Sequence, residues 1–195
     1  IHAAAGGVGT ALIQFAKYKK AKVYAKVGSE EKKAFVEKMG VELAINYKHK
    51  SYEDQLKNSL GSDRLDVAYN PVGGSTFKKD MQLIGSGGRV VLFGGSERMG
   101  KKWGFLSSLN FVRKMGLKIP IGLMMTSKSI LGVNMLKIAD NKPEVMAFCL
   151  NEVVSLTKDG VISPPKGQSY AHQEISKAHA KLESGDSIGK ISVNW

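Results

Sequence analysis

Cysteine is almost missing from this chain: Cys149 is the one such residue in 195. A lone thiol excludes an internal disulfide framework and a cysteine-rich structural zinc lobe within the segment, and it fits a reducing compartment. Long apolar runs are missing too. None approaches the roughly 20 residues that cross a bilayer as a helix; with the reducing compartment that the lone thiol fits, a cytoplasmic location is expected. Acid is scarce: 17 Asp and Glu stand against 29 Lys and Arg, for a formal net charge of +12. Such a balance suits nucleic acid, anionic membranes or acidic small molecules. Nucleic acid is set aside, because the lysines scatter over helix-patterned faces with neither interleaved aromatics nor a basic recognition helix. An initiating Met is absent, and the chain opens on the end of a strand-like run, so a piece of a longer protein is expected. One local absence is the most informative: no Asp or Glu occurs from Thr10 to Ser29.

What is present at once is glycine. Ile1-His2-Ala3-Ala4-Ala5-Gly6-Gly7-Val8-Gly9 reads as a strand end, a small-residue turn and the start of a helix. A turn of this kind brings backbone N–H groups and the positive end of the helix dipole to one point, where an anion can sit. Laid on the fingerprint G-x-G-x-x-G, the positions fall on Ala4, Gly6 and Gly9, so the first glycine is replaced. Gly6 would let the backbone approach a phosphate, and Gly9 would let the helix pack closely on the strand.

Downstream, hydrophobic periodicity and turn residues predict helix 8–19, strand 21–27, helix to Met39, strand 43–47, helix 52–60, strand 65–69, helix 75–84 and strand 89–93. Gly87-Gly88 is expected to turn the chain into the last of these. Strand 129–133 and helix 143–157 follow. Such alternation at short spacing predicts a doubly wound, Rossmann-type α/β domain with a parallel sheet.

Where an NAD site carries an acid about 20 residues after the glycine turn, this chain has Gly28 and Ser29, with Lys32 one turn into the next helix. A hydroxyl and a lysine at a helix start suit a 2′-phosphate, which a carboxylate would repel. The residues therefore favour NADPH over NADH. Two more glycine-rich strand exits, Asn70-Pro71-Val72-Gly73-Gly74 and Phe93-Gly94-Gly95-Ser96, are placed to border the nicotinamide and its ribose.

These segments carry a resemblance. The opening turn, Val27-Gly28-Ser29-Glu30-Glu31-Lys32, Ala44-Ile45-Asn46-Tyr47, Asp66 to Gly74 and Gly88 to Gly94 are similar, in order and spacing, to the zinc-independent quinone oxidoreductases of the medium-chain dehydrogenase/reductase superfamily. The synaptic vesicle membrane protein group of that family is similar as well. The resemblance implies hydride transfer from NADPH to a quinone or activated enone, in a homodimer. It places Ala5, Gly6, Gly7, Val8, Gly9, Gly28, Ser29, Lys32, Tyr47, Asn70, Val72, Phe93 and Gly94 at the coenzyme, with Ser29, Lys32 and Tyr47 around the 2′-phosphate. It implies no metal ligand and no conspicuous catalytic side chain. It also implies that residues 1–162 form the dinucleotide-binding domain and that 163–195 return to a catalytic domain largely absent here.

Residues 97–127 form an expected helical insertion. Between Arg98 and Lys118 stand six basic residues and no acid, among Trp103, Phe105, Leu109, Phe111 and Val112. Two readings stay open: a helical excursion or subunit contact, and a membrane-surface contact through 98–125. The second supports a competing function, a membrane- or partner-associated protein that keeps the nucleotide domain as scaffold. A zinc-dependent alcohol dehydrogenase of the same superfamily is the third alternative. Cys149 is expected to be a buried small hydrophobe. His172 and His179, on a predicted helix 172–183 before strand 190–193, are expected to be surface residues.

Overall fold

The computed structural model describes residues 1–49, 51–96, 104–165 and 167–195, with the backbone path alone for 104–108. Two compact units emerge: Ile1, 3–52 and 147–195 form the first, and His2 with 53–146 form the second. Every strand pairing among the described residues is parallel, as the α/β alternation predicts.

In the first unit, helix α1 (Gly7–Tyr18) leads through Lys20, at φ +58°, towards strand β1 (Tyr24–Val27). The strand was predicted from residue 21. It begins later because Ala21 N–H still bonds the carbonyl of Ala16 at 2.9 Å, closing the end of the helix. Ser29 caps helix α2 (Glu30–Lys38), whose chain leaves through Gly40 at φ +73°, and strand β2 (Leu43–Asn46) pairs with β1. The core is small: Ala4, Ala5, Ile13, Val23, Ala25, Val27, Val36 and Ala44 are all buried together. Small side chains at the turn let the flanking backbone close on it, while Ile13 and Val36 bring one apolar stripe from each helix.

The second unit runs through α3 (Tyr52–Leu60), β3 (Leu65–Asn70), α4 (Ser75–Leu83), β4 (Ile84–Leu92), α5 (Gly104–Met115), α6 (Pro120–Thr126), β5 (Ser129–Gly132) and α7 (Met135–Asn141). Its sheet has the order β3-β4-β5 over a core of Ala68, Phe77, Met81, Ile84 and Val90. Strand β4 differs from expectation. Instead of starting after a Gly87-Gly88 turn, it begins at Ile84, directly after α4, and slips register between the Leu65–Ile84 and Val67–Arg89 pairs. Gly87 takes φ +79°, and its N–H bonds the Ser127 carbonyl at 2.7 Å. The glycines are thus a bulge inside a strand rather than its boundary.

Helix α8 (Pro143–Lys158) has no buried residue, and Cys149 on it is exposed. The expectation of a buried thiol fails because it took an apolar neighbourhood as a packed face. Here Phe148 and Leu150 are themselves 66% and 60% exposed. The chain ends in strand β6 (Ser169–Ala171), a 3-10 turn (His172–Glu174), helix α9 (Ile175–Glu183) and strand β7 (Ser192–Asn194). His172 stacks on Trp195 at 5.5 Å and 8°. Of the predicted insertion, 97–103 lie outside the described residues. No helix among the described residues is long and apolar enough to cross a membrane.

Candidate coenzyme site

The first unit assembles its part of the site on the glycine turn. The segment before α1 is not a regular strand. Lys26 N–H bonds the Ile1 carbonyl at 2.9 Å and Ala4 N–H bonds the Lys26 carbonyl at 3.1 Å, but Ala3 between them takes φ +50°. Gly6 is the N-cap of α1, with no side-chain cap and no acid in the first turn. The leading N–H groups of a helix lack carbonyl partners within it, so this end offers donors and a positive dipole to an anion. At Gly9 an added Cβ would lie 2.5 Å from the Ala3 carbonyl oxygen and 2.6 Å from Ala4 Cα. Helix and turn are therefore in backbone contact, which glycine alone permits. Val8, in the first turn, is 52% exposed.

The C-terminal segment comes to the same turn. Gly189 N–H donates to the Ala5 carbonyl at 2.9 Å, and Gly189 bridges Gly6. This places Lys190 over Gly7, where an added Cβ would be 2.6 Å from its Cε and 3.3 Å from its Nζ. Sequence reasoning missed Lys190. Its only local cue is the Gly189-Lys190 pair, 180 residues from the turn.

At the end of β1, the Ser29 hydroxyl oxygen accepts from Lys32 N–H at 3.2 Å. An added Cβ on Gly28 would meet the Tyr47 hydroxyl at 2.9 Å, so Tyr47 lies across that glycine. Lys26 Nζ stands 5.0 Å from the centre of the Tyr47 ring. Lys32 Nζ donates to the Gly185 carbonyl. Loss of water around it pushes its pKa below the ordinary lysine value; the Asp186 carboxylate opposes this, and the Lys181 and Lys48 ammonium groups add to it. Lys48 and Lys181 therefore lie within electrostatic reach of Lys32 beside the Ser29 cap, together with the carboxylates of Asp186 and Glu31. Lys48, Lys181 and the Gly185-Asp186 turn were not singled out from sequence. Residues 181–186 come near only through the fold.

In the second unit, Asn70 closes β3 and is wholly buried. Its Oδ1 accepts from Val72 N–H at 2.8 Å and Gly73 N–H at 2.9 Å, an Asx turn that shapes the strand exit. Phe93 N–H donates to the Asn70 carbonyl at 3.3 Å, joining the exit of β4 to that of β3. Gly94 touches Pro71 so closely that a Cβ would lie 2.7 Å from its carbonyl oxygen. Asn70, Val72, Phe93 and Gly94 thus form one small constellation at the carboxyl ends of adjacent strands, where open α/β sheets bind ligands.

A model of the zinc-binding dehydrogenase family matches residues 7–151. The chain belongs to that family. Quinone oxidoreductase of Rattus norvegicus is 28% identical to it over 194 residues, covering 98% of this chain and 52% of the rat protein. Quinone oxidoreductase 1 of Escherichia coli is 31% identical over 186 residues, covering 94% and 52%. Among solved structures, Escherichia coli quinone oxidoreductase complexed with NADPH superposes with a TM-score of 0.74 at 26% identity, over 99% of this chain and 56% of that one. The chain therefore spans about half the length of these relatives. The resemblance read from the motifs agrees with these matches, and so does the Rossmann-type fold. Among the described residues, no three His, Cys, Asp or Glu side chains gather as a metal ion would need.

Proposed function

We propose that this dehydrogenase-family chain is the coenzyme-binding portion of an NADPH-dependent oxidoreductase acting on a quinone or an activated enone. The observation that carries the proposal is the end of β1: Ser29, whose hydroxyl caps α2 by accepting from Lys32 N–H, and the Lys32 side chain stand where an NAD site would carry an acid. Bound there, NADPH supplies a hydride from its nicotinamide. The chain's own residues hold and orient. The α1 N-terminus, from Gly6 to Gly9, and Lys190 take the pyrophosphate. Ser29, Lys32 and Tyr47 take the 2′-phosphate. The Asn70–Gly73 and Phe93-Gly94 exits flank the nicotinamide end. Residues 1–162 are read as the dinucleotide-binding domain and 163–195 as the return to a catalytic domain. Homodimerisation and a cytoplasmic setting belong to the same reading.

Calorimetric titration of the chain with NADPH and with NADH tests it. NADPH is expected to bind more tightly, and Lys32→Ala to reduce its affinity about tenfold, in line with the ~1.5 kcal/mol of a hydrogen bond to a charged group, while NADH is little affected. Equal affinities in the wild-type chain would overturn the assignment.

A further inference from the structure

Behind the Asn70 exit lies a buried polar chain of which the coenzyme reading uses Asn70 alone. Asn70, Asp80, His2 and Thr76 are 0%, 2%, 5% and 9% exposed. Asp80 Oδ2 accepts from Asn70 Nδ2 at 2.6 Å, and Asp80 Oδ1 lies 2.8 Å from His2 Nε2. Asn70 Nδ2 is also 2.9 Å from Thr76 Oγ1, which in turn donates to the Gly73 carbonyl at 2.7 Å.

The Asn70 amide has two orientations related by a flip, and they are not equivalent here. With Oδ1 facing Val72 N–H and Gly73 N–H, both are satisfied and the turn is fixed. With Nδ2 facing them, donors confront donors. The Thr76 hydroxyl is the weaker selector: it accepts from Nδ2 while its one proton goes to the Gly73 carbonyl, but that proton can turn to the Asn70 amide oxygen instead. The hydroxyl lies within 3.3 Å of Oδ1 as well as 2.9 Å of Nδ2. A carboxylate can select, since it only accepts. Asp80 is that carboxylate, and His2 holds its other oxygen.

We infer that Asp80 is a positioning residue. It locks the Asn70 amide and so pre-forms the Asn70–Gly73 turn that receives the nicotinamide end of the coenzyme. The inference rests on the coenzyme reading above. Pre-formation matters because ordering a turn at the moment of binding subtracts from affinity. The effect should be confined to ligands that reach this turn.

The test compares two probes, NADPH and 2′,5′-ADP, which carries the phosphorylated adenosine without the nicotinamide. Their dissociation constants are measured on wild type, Asp80→Ala and Asp80→Asn. Asp80→Ala is expected to weaken NADPH about tenfold and to leave 2′,5′-ADP within about twofold. Asp80→Asn keeps the size but both donates and accepts, so its amide can flip and no longer selects the Asn70 orientation, and it too is expected to weaken NADPH while sparing 2′,5′-ADP. If Asp80→Ala does not fold, Asp80→Ser takes its place, with a hydroxyl too short to span both partners. Unchanged NADPH affinity in the truncation or in Asp80→Asn, or an equal loss of both probes, overturns the inference and leaves the coenzyme reading standing. A wild-type chain that binds neither probe overturns both.

Discussion

Lys32 is where the account meets single side chains. Its ammonium group is held below the ordinary lysine pKa, chiefly by lost hydration and further by Lys181 and Lys48. A 2′-phosphate binds the protonated form, so preference for NADPH over NADH should be full below this lowered pKa. It should fall as pH rises through that value, sooner than with an ordinary lysine. Affinity ratios measured from neutral pH upward check this; a ratio flat well into the alkaline range would contradict it. Gly9 and Gly7 make a second pair of expectations. At Gly9 a methyl group meets fixed backbone, so Gly9→Ala should cost about 1–3 kcal/mol in denaturant unfolding. At Gly7 it meets only the movable tail of Lys190, so Gly7→Ala should be close to neutral. The motif made Gly9 legible as a packing glycine. It could not reveal Lys190, because contact across most of the chain leaves no local pattern.

At the scale of elements, caps and periodicities read well and irregular junctions did not. The Ser29 cap was visible because Ser followed by Glu30 and Glu31 is a helix-start signal, and the hydroxyl does accept from Lys32 N–H. Ser29→Ala should cost about 1 kcal/mol of stability by thermal denaturation and should also weaken NADPH binding. A loss of stability with NADPH affinity intact would separate the cap from the phosphate site. The β4 bulge stayed hidden because Gly87-Gly88 looks the same whether it ends a loop or bends a strand. What decides is the bond from Gly87 to Ser127, a partner forty residues away. Cys149 misled for a related reason: α8 is apolar in composition, yet none of its residues is buried.

For the whole molecule, the alternation of strands and helices was enough to give the α/β class, since parallel pairing follows from right-handed crossovers. The division into two units with separate cores was not legible, because both halves share one pattern. Each half nevertheless carries candidate coenzyme residues. Lys190 belongs to the first, and Lys190→Met should weaken NADPH and NADH alike, by roughly tenfold, if it meets the pyrophosphate both share. A selective loss of NADPH would instead place it at the 2′-phosphate.

The most direct test of the central claim is amide NMR of the labelled chain titrated with NADPH. The account predicts that perturbations concentrate at Gly6, Gly7, Val8, Gly9, Ser29, Lys32 and Tyr47 in one unit, and at Asn70, Val72, Phe93 and Gly94 in the other. A folded chain whose spectrum stays unchanged, or shifts away from those residues, would contradict it.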